Sequence, residues 1–207
     1  MILFAIVLGL YFFIPKNIPT AFTLQVPFSA QAPTDKWSRN EDCEETSIVM
    51  AYTFLNGNTD ATLPPTATQE AINSLKRWEQ ANLGYNADTG AIATSKMAEG
   101  AFGLKIKQIK NFTETNLKTA LINGHPILLP INAKLLGSPQ YLENGPTYHM
   151  IVIKGFRNDI FIVNDPGTDR GESQEYSFAV LQKASADWDN VSKKIISTNK
   201  IALVVYK

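Results

Sequence analysis

The rhythm of apolar and polar positions changes several times along the chain. Residues 1–14, MILFAIVLGLYFFI, are apolar without a break. As a helix they would span about 21 Å, short of the ~30 Å hydrocarbon core of a bilayer, a length that suits an export signal or a membrane anchor. Residues 1–20 are therefore expected to form an apolar signal or anchor segment with its linker, and residues 21–207 a single domain. Short alternations at Phe22, Leu24, Val26 and Phe28, in a proline-rich stretch, predict an edge strand.

From Asp42 the period becomes helical. Asp42 and Glu45 have the spacing of a capping box, and the run from Cys43 to Leu55 stops at Asn56-Gly57. Cys43, Ser47, Met50, Ala51 and Phe54 share one face of that helix while Ile48, Val49 and Tyr52 cover the others, so it is expected to be central and buried. Helices are predicted over 68–83 and 92–100, joined by GYNADTG, and over 114–123, ending at Gly124. LKIKQI (104–109), HPILLPIN, YHMIVIKGF, DIFIVND and the C-terminal IALVVYK read as strands, with a helix over 176–183 before the last. Helices first and a mostly antiparallel sheet afterwards is an α+β order, not the alternation of a doubly wound fold.

Composition narrows the functional classes. Nineteen basic and nineteen acidic side chains cancel, so there is no basic field to gather phosphates, and nucleic acid is not an expected partner. A hydrophobic content of 44% in 207 residues is enough for a core without disulfide staples. No Cys/His cluster suggests a metal, and DPGTDRG lacks the ligand spacing of a calcium loop and reads as a turn. No cofactor is expected, and nothing in the pattern sets the oligomeric state.

The chemistry centres on the one cysteine in the chain. A lone cysteine on an apolar helix face is ordinarily a small buried hydrophobe. Cys43, however, opens a helix, and a helix N-terminus beside an imidazolium lowers a thiol's pKa and makes it a nucleophile. His149 heads the strand HMIVIKGF, and IFIVND follows it across a short turn; in such a hairpin the start of the first strand lies beside the end of the second, which brings His149 and Asp165 together. His125, in the turn NGHP after a helix stop, is the weaker candidate base. Gln31 lies upstream of the cysteine, where a side-chain amide paired with the nucleophile's own N–H can hold an oxyanion. Glu41, Asp42, Glu44 and Glu45 crowd Cys43 with charge that opposes a thiolate, so either His149 outweighs them or they turn to solvent.

VPFSAQAPTDKWSRNEDCEETSIVMAYTFLNG, NGHPILLPIN, YHMIVIKGF and IFIVNDPG, in that order, resemble the stand-alone branch of the double-glycine leader peptidases, family 39 of the papain-like cysteine peptidases. The resemblance covers residues 24–207. It implies a papain-like fold, a helical part packed on an antiparallel sheet, with Cys43 as nucleophile, His149 as general base, Asp165 orienting the imidazole and Gln31 in the oxyanion hole. Two departures stand out: Asp42 replaces the glycine that often precedes the cysteine, and the chain has no Walker-type phosphate loop, so leader processing coupled to export is not expected.

The expected protein is thus a thiol hydrolase acting on a peptide or isopeptide bond, anchored to a membrane through its apolar N-terminus or secreted, and extracytoplasmic. The rivals are a transglutaminase-like acyltransferase and a catalytically silent peptide- or cell-wall-binding module of the same fold. The loops GYNADTG and LLGSPQYLENGP, with Trp37 and Trp78, are candidates for the rim of the cleft.

Overall fold

The computed structural model describes residues 17–34, 41–141 and 145–207. The apolar segment 1–14 and Trp37 lie outside the described residues. Among those described, no helix is long and apolar enough to cross a membrane.

Among the described residues, five helices and nine strands follow the expected α+β order. A short strand β1 (Ala21–Thr23) precedes three helices, α1 (Cys43–Leu55), α2 (Pro65–Leu83) and α3 (Ala91–Phe102). β2 (Lys105–Lys110), α4 (Glu114–Ile122) and β3 (Ile127–Ile131) lead to the long hairpin of β4 (His149–Arg157) and β5 (Ile160–Asn164). β6 (Gln174–Ser177), α5 (Phe178–Ala184), the small hairpin β7 (Asp187–Asp189) and β8 (Lys194–Ile196), and β9 (Ile201–Tyr206) complete the chain.

Seven strands form one sheet in the order β2-β9-β3-β4-β5-β6, with β1 added alongside β4, and every pairing is antiparallel. β3 covers the first half of one edge of β4, from His149 to Ile153, and β1 the second half, from Gly155 to Arg157. α1 and α4 both pack on β3 and β4. Consequently β3 is buried at every position and β4 from His149 to Phe156; both are mostly apolar instead of alternating, with Lys154 the one charged side chain inside the buried stretch of β4 after His149. Each fully buried Leu or Ile here, such as Leu128, Leu129 and Ile151, contributes roughly 1.5–3 kcal/mol.

α1 is central and buried as its all-round apolarity requires: Cys43 to Ala51 are all buried, and Ser47 Oγ donates to the Met150 carbonyl of β4 at 3.4 Å. Its start differs from the expected capping box. The Asp42 side chain makes no cap; its carboxylate accepts from Lys76 of α2, while Glu45 turns inward to face Glu79. An ion pair to a neighbouring helix has displaced the weaker bond to the helix's own N–H. Residues 174–177, expected to begin a helix at Tyr176, instead pair with β5 before α5 starts at Phe178, because the edge of β5 offers them a ladder.

Candidate active site

The two halves of the fold meet at the start of α1 and the start of β4. His149 opens β4 opposite Ile131, and Asp165 follows the last residue of β5. The antiparallel hairpin sets His149 Nε2 2.7 Å from Asp165 Oδ1, as the strand order predicts. With Nε2 engaged by the carboxylate, Nδ1 is the ring nitrogen left for exchange with another group.

Asp165 is held from several sides. Tyr141 Oη donates to Oδ1 at 2.7 Å and is 2.8 Å from Oδ2, and the Gly167 N–H donates to Oδ1 at 2.9 Å. Burial pushes this carboxyl's pKa up, but the His149 charge and the bonds from His149, Tyr141 and Gly167 outweigh it and hold the group below the usual carboxylate range. Tyr141 is pushed the other way, first by burial and then by Asp165, so it stays a donor.

The residue before Asp165 ties in the upstream segment. Asn164 Nδ2 donates to the Val26 and Pro27 carbonyls at 3.0 and 3.3 Å, and the Gln31 N–H donates to the Pro166 carbonyl at 2.8 Å. The end of β5 therefore positions Gln31 as well as Asp165. Gln31, Cys43 and His149 line one cavity of about 340 Å³. Glu41, Asp88, Tyr148 and Trp188 also line it, the last two rings lying 5.4 Å apart between centroids.

Of the four acidic side chains around Cys43, only Glu41 turns to solvent; Asp42, Glu44 and Glu45 are buried. Glu44 and Glu45 are only 1% and 2% exposed. The Cys43 thiol donates to Glu44 Oε2 at 3.0 Å, and Glu44 Oε1 accepts the Thr89 N–H at 2.7 Å. Burial pushes the Cys43 thiol well up, with Glu44, Asp88 and Glu45 adding to it. Glu44 is itself pushed up to about 8 by burial and then by Asp88. Asp88 rises to about 6, by burial and then Glu41, with His149 and Lys193 pulling it back.

Other candidates fall elsewhere. His125 sits after α4, its N–H donating to Ala120 and its ring 5.7 Å from that of Tyr206, and it does not line the cavity. Trp78 packs over Gly100 between α2 and α3. Of the two rim loops, GYNADTG supplies Asp88 to the lining, and LLGSPQYLENGP supplies Pro146 and the Asp165 partner Tyr141. Trp188 carried no sequence signal, since its hairpin is too short to show an alternation. Among the described residues, no group of three or more His, Cys, Asp or Glu side chains is arranged to hold a metal ion.

Comparisons with known proteins agree with this architecture. No curated protein matches the chain. Among solved structures, one described as a C39-like peptidase from Bacillus anthracis superposes with a TM-score of 0.58 at 17% identity, over 90% of this chain and 98% of that one. A double glycine motif protease from an AMS/PCAT transporter, solved in complex with the leader peptide, superposes with a TM-score of 0.50 at 16% identity, over 88% and 92%. At these identities the likeness shows the fold. The family model described as Peptidase_C39 like family matches residues 23–196. The chain therefore belongs to the Peptidase_C39 like family.

Proposed function

We propose that this protein is a cysteine peptidase that hydrolyses a peptide or isopeptide bond through Cys43, His149 and Asp165, with Gln31 as an oxyanion donor. The observation that carries this reading is that Cys43, His149 and Gln31 share one cavity while His149 Nε2 is bound to a buried carboxylate. His149 Nδ1 takes the proton from the Cys43 sulfur, and the thiolate adds to the substrate carbonyl carbon. The carbonyl electron pair moves to oxygen, which the Gln31 amide and the Cys43 N–H hold; the first N–H groups of a helix have no acceptor within it. The tetrahedral centre collapses, the amine leaves with the proton from His149, and water, deprotonated by His149, then releases the acid and restores the thiol. Asp165 is a positioning residue that keeps the imidazole in the required tautomer.

Family and fold support a peptide as the substrate, and the transporter protease bound to its leader peptide is a precedent for peptide in such a cleft. Residues 21–207 form the catalytic domain in this reading, and the apolar N-terminal segment holds it to a membrane or directs its export, on the extracytoplasmic side.

One observation favours the silent binding module instead: the thiol is bonded to Glu44 and burial opposes its ionisation. Because Cys43 is the sole cysteine, iodoacetamide alkylation of the full chain reads one site. For a peptidase, the neutral-pH rate falls at least about tenfold in His149→Ala. A rate that rises only in alkali and ignores His149 assigns the cleft to binding.

A further inference from the structure

The residue after the cysteine is buried, charged by type and in direct contact with the sulfur, yet the mechanism above leaves it unused. We propose that Glu44 is a catalytic residue in its protonated form, its carboxyl donating a hydrogen bond to the Cys43 sulfur once His149 has taken the thiol proton. This inference rests on the peptidase reading and deepens it.

The geometry is already set for that bond. Glu44 Oε2 lies 3.0 Å from Cys43 Sγ, and in the resting thiol the proton points from sulfur to oxygen. The other oxygen is fixed by the Thr89 N–H at 2.7 Å, and the Thr89 carbonyl in turn accepts from Tyr148 Oη at 2.8 Å. The Thr89 hydroxyl is 2.8 Å from that of Thr94 on α3. Glu44 is thus clamped from the α2–α3 loop, α3 and the approach to β4, and it cannot swing away from the sulfur without breaking the bond from Thr89.

The groups that face Glu44 decide its charge. From α1 come Cys43 and Glu45, from the α2–α3 loop Asp88 and Tyr85, and from the approach to β4 Tyr148. None of these is a cation; Lys76 is committed to Asp42, and Lys193 acts on Asp88. Buried among acids and phenols, Glu44 keeps its proton up to about pH 8. A neutral carboxyl reverses the local balance: it removes the nearest negative charge and supplies a donor, and hydrogen bonds to charged groups are about twice as strong as neutral ones. When His149 removes the thiol proton, the carboxyl proton stays on Glu44, its hydroxyl turns to the sulfur and the bond inverts. When Glu44 ionises, the thiol pKa rises further and the thiolate–imidazolium form empties.

The experiment is the alkylation rate of Cys43 and the thiolate ultraviolet absorbance across pH, in the full-length wild type, Glu44→Gln and His149→Ala. Glutamine keeps an acceptor for Thr89 and a neutral N–H for sulfur but cannot ionise. The wild-type rate is expected to fall roughly tenfold per pH unit above about 8, opposite to a free thiol, and that downturn is absent in Glu44→Gln. A wild-type rate that does not fall overturns the proposal whatever the variants do. So does a fall that persists in a folded Glu44→Gln. In each of those cases a rate that still depends on His149 leaves the peptidase reading standing, whereas indifference to His149 removes that reading itself.

Discussion

Asp165 is ionised in a place where burial alone would neutralise it, and three donors make that possible. Tyr141 is the one that can be removed with the least disturbance. In Tyr141→Phe the ring still fills its space, but Asp165 loses the phenol bond at 2.7 Å. Loss of a charge-assisted bond of this kind costs roughly 1–3 kcal/mol. The Asp165 pKa then rises, its hold on the imidazole weakens, and the acid limb of Cys43 alkylation moves to higher pH, with the neutral-pH rate down by up to about tenfold. An acid limb that stays in place in a stable Tyr141→Phe protein would show that His149 and Gly167 suffice.

Among these residues, Cys43, His149 and Asp165 could be read from their places at element ends, and Gln31 from its place upstream of the cysteine. Tyr141 could not, because a tyrosine in a loop has no period to mark it. Nor could Glu44 be told from Glu41: they lie three residues apart with the same charge, and only packing exposes one and buries the other.

At the scale of elements, the loop after β5 holds the site together. It closes on itself where the Asp165 N–H donates to the Gly171 carbonyl at 2.8 Å, and an added Cβ at Gly171 would lie 1.8 Å from the Asp165 carbonyl oxygen. That oxygen is backbone and has no rotamer to escape into. Gly171→Ala is therefore expected to displace Asp165, lower stability by roughly 2–4 kcal/mol and depress His149-dependent alkylation, although residue 171 does not line the cavity. Gly57→Ala is the control: it sits at φ +89 with nothing within 4 Å, so it bears only left-handed strain of roughly 1–2 kcal/mol and leaves alkylation unchanged. Equal effects of the two on the alkylation rate would separate the loop from the site.

The hairpin of β4 and β5 was legible because two apolar runs flank a short polar turn. β6 was not: QEYS has no apolar alternation, and only the free edge of β5 makes it a strand. The capping box failed for a similar reason, since Lys76 lies 34 residues away in sequence and no local rule can see it.

For the whole molecule, the buried acids make folding depend on pH in a defined sense. Glu44 rises from 4.5 to about 8 and Asp88 from 3.8 to about 6, both chiefly through burial, and Glu45 and Glu79 are raised as well. A carboxyl whose folded pKa is raised contributes stability in full below its unfolded pKa and loses it as pH rises through the folded one. Asp165 runs the other way and contributes above the ordinary carboxylate range. At roughly 1.4 kcal/mol per pKa unit, the raised group dominates by an order of a few kcal/mol. Tm is expected to be highest near the ordinary carboxylate range, about pH 4 to 4.5, and to decline by several degrees toward about pH 8, with Glu44→Gln flattening the decline. A Tm that climbs from mild acid to mild alkali would contradict the burial of these groups in solution.

By itself the sequence determined the α+β order, the extent of the central helix and the hairpin that joins His149 to Asp165, because apolar periodicity and turn residues act over short distances. It also carried the family likeness, in four motifs whose order the fold preserves. Only the tertiary structure decided which carboxylates around Cys43 face inward, which loops reach the cavity and what holds Asp165. Those outcomes depend on contacts between segments far apart in the chain, 24 residues for Tyr141 with Asp165, 45 for Thr89 with Glu44 and 138 for Asn164 with Val26, where desolvation and pairing are settled by packing and not by neighbours in the chain.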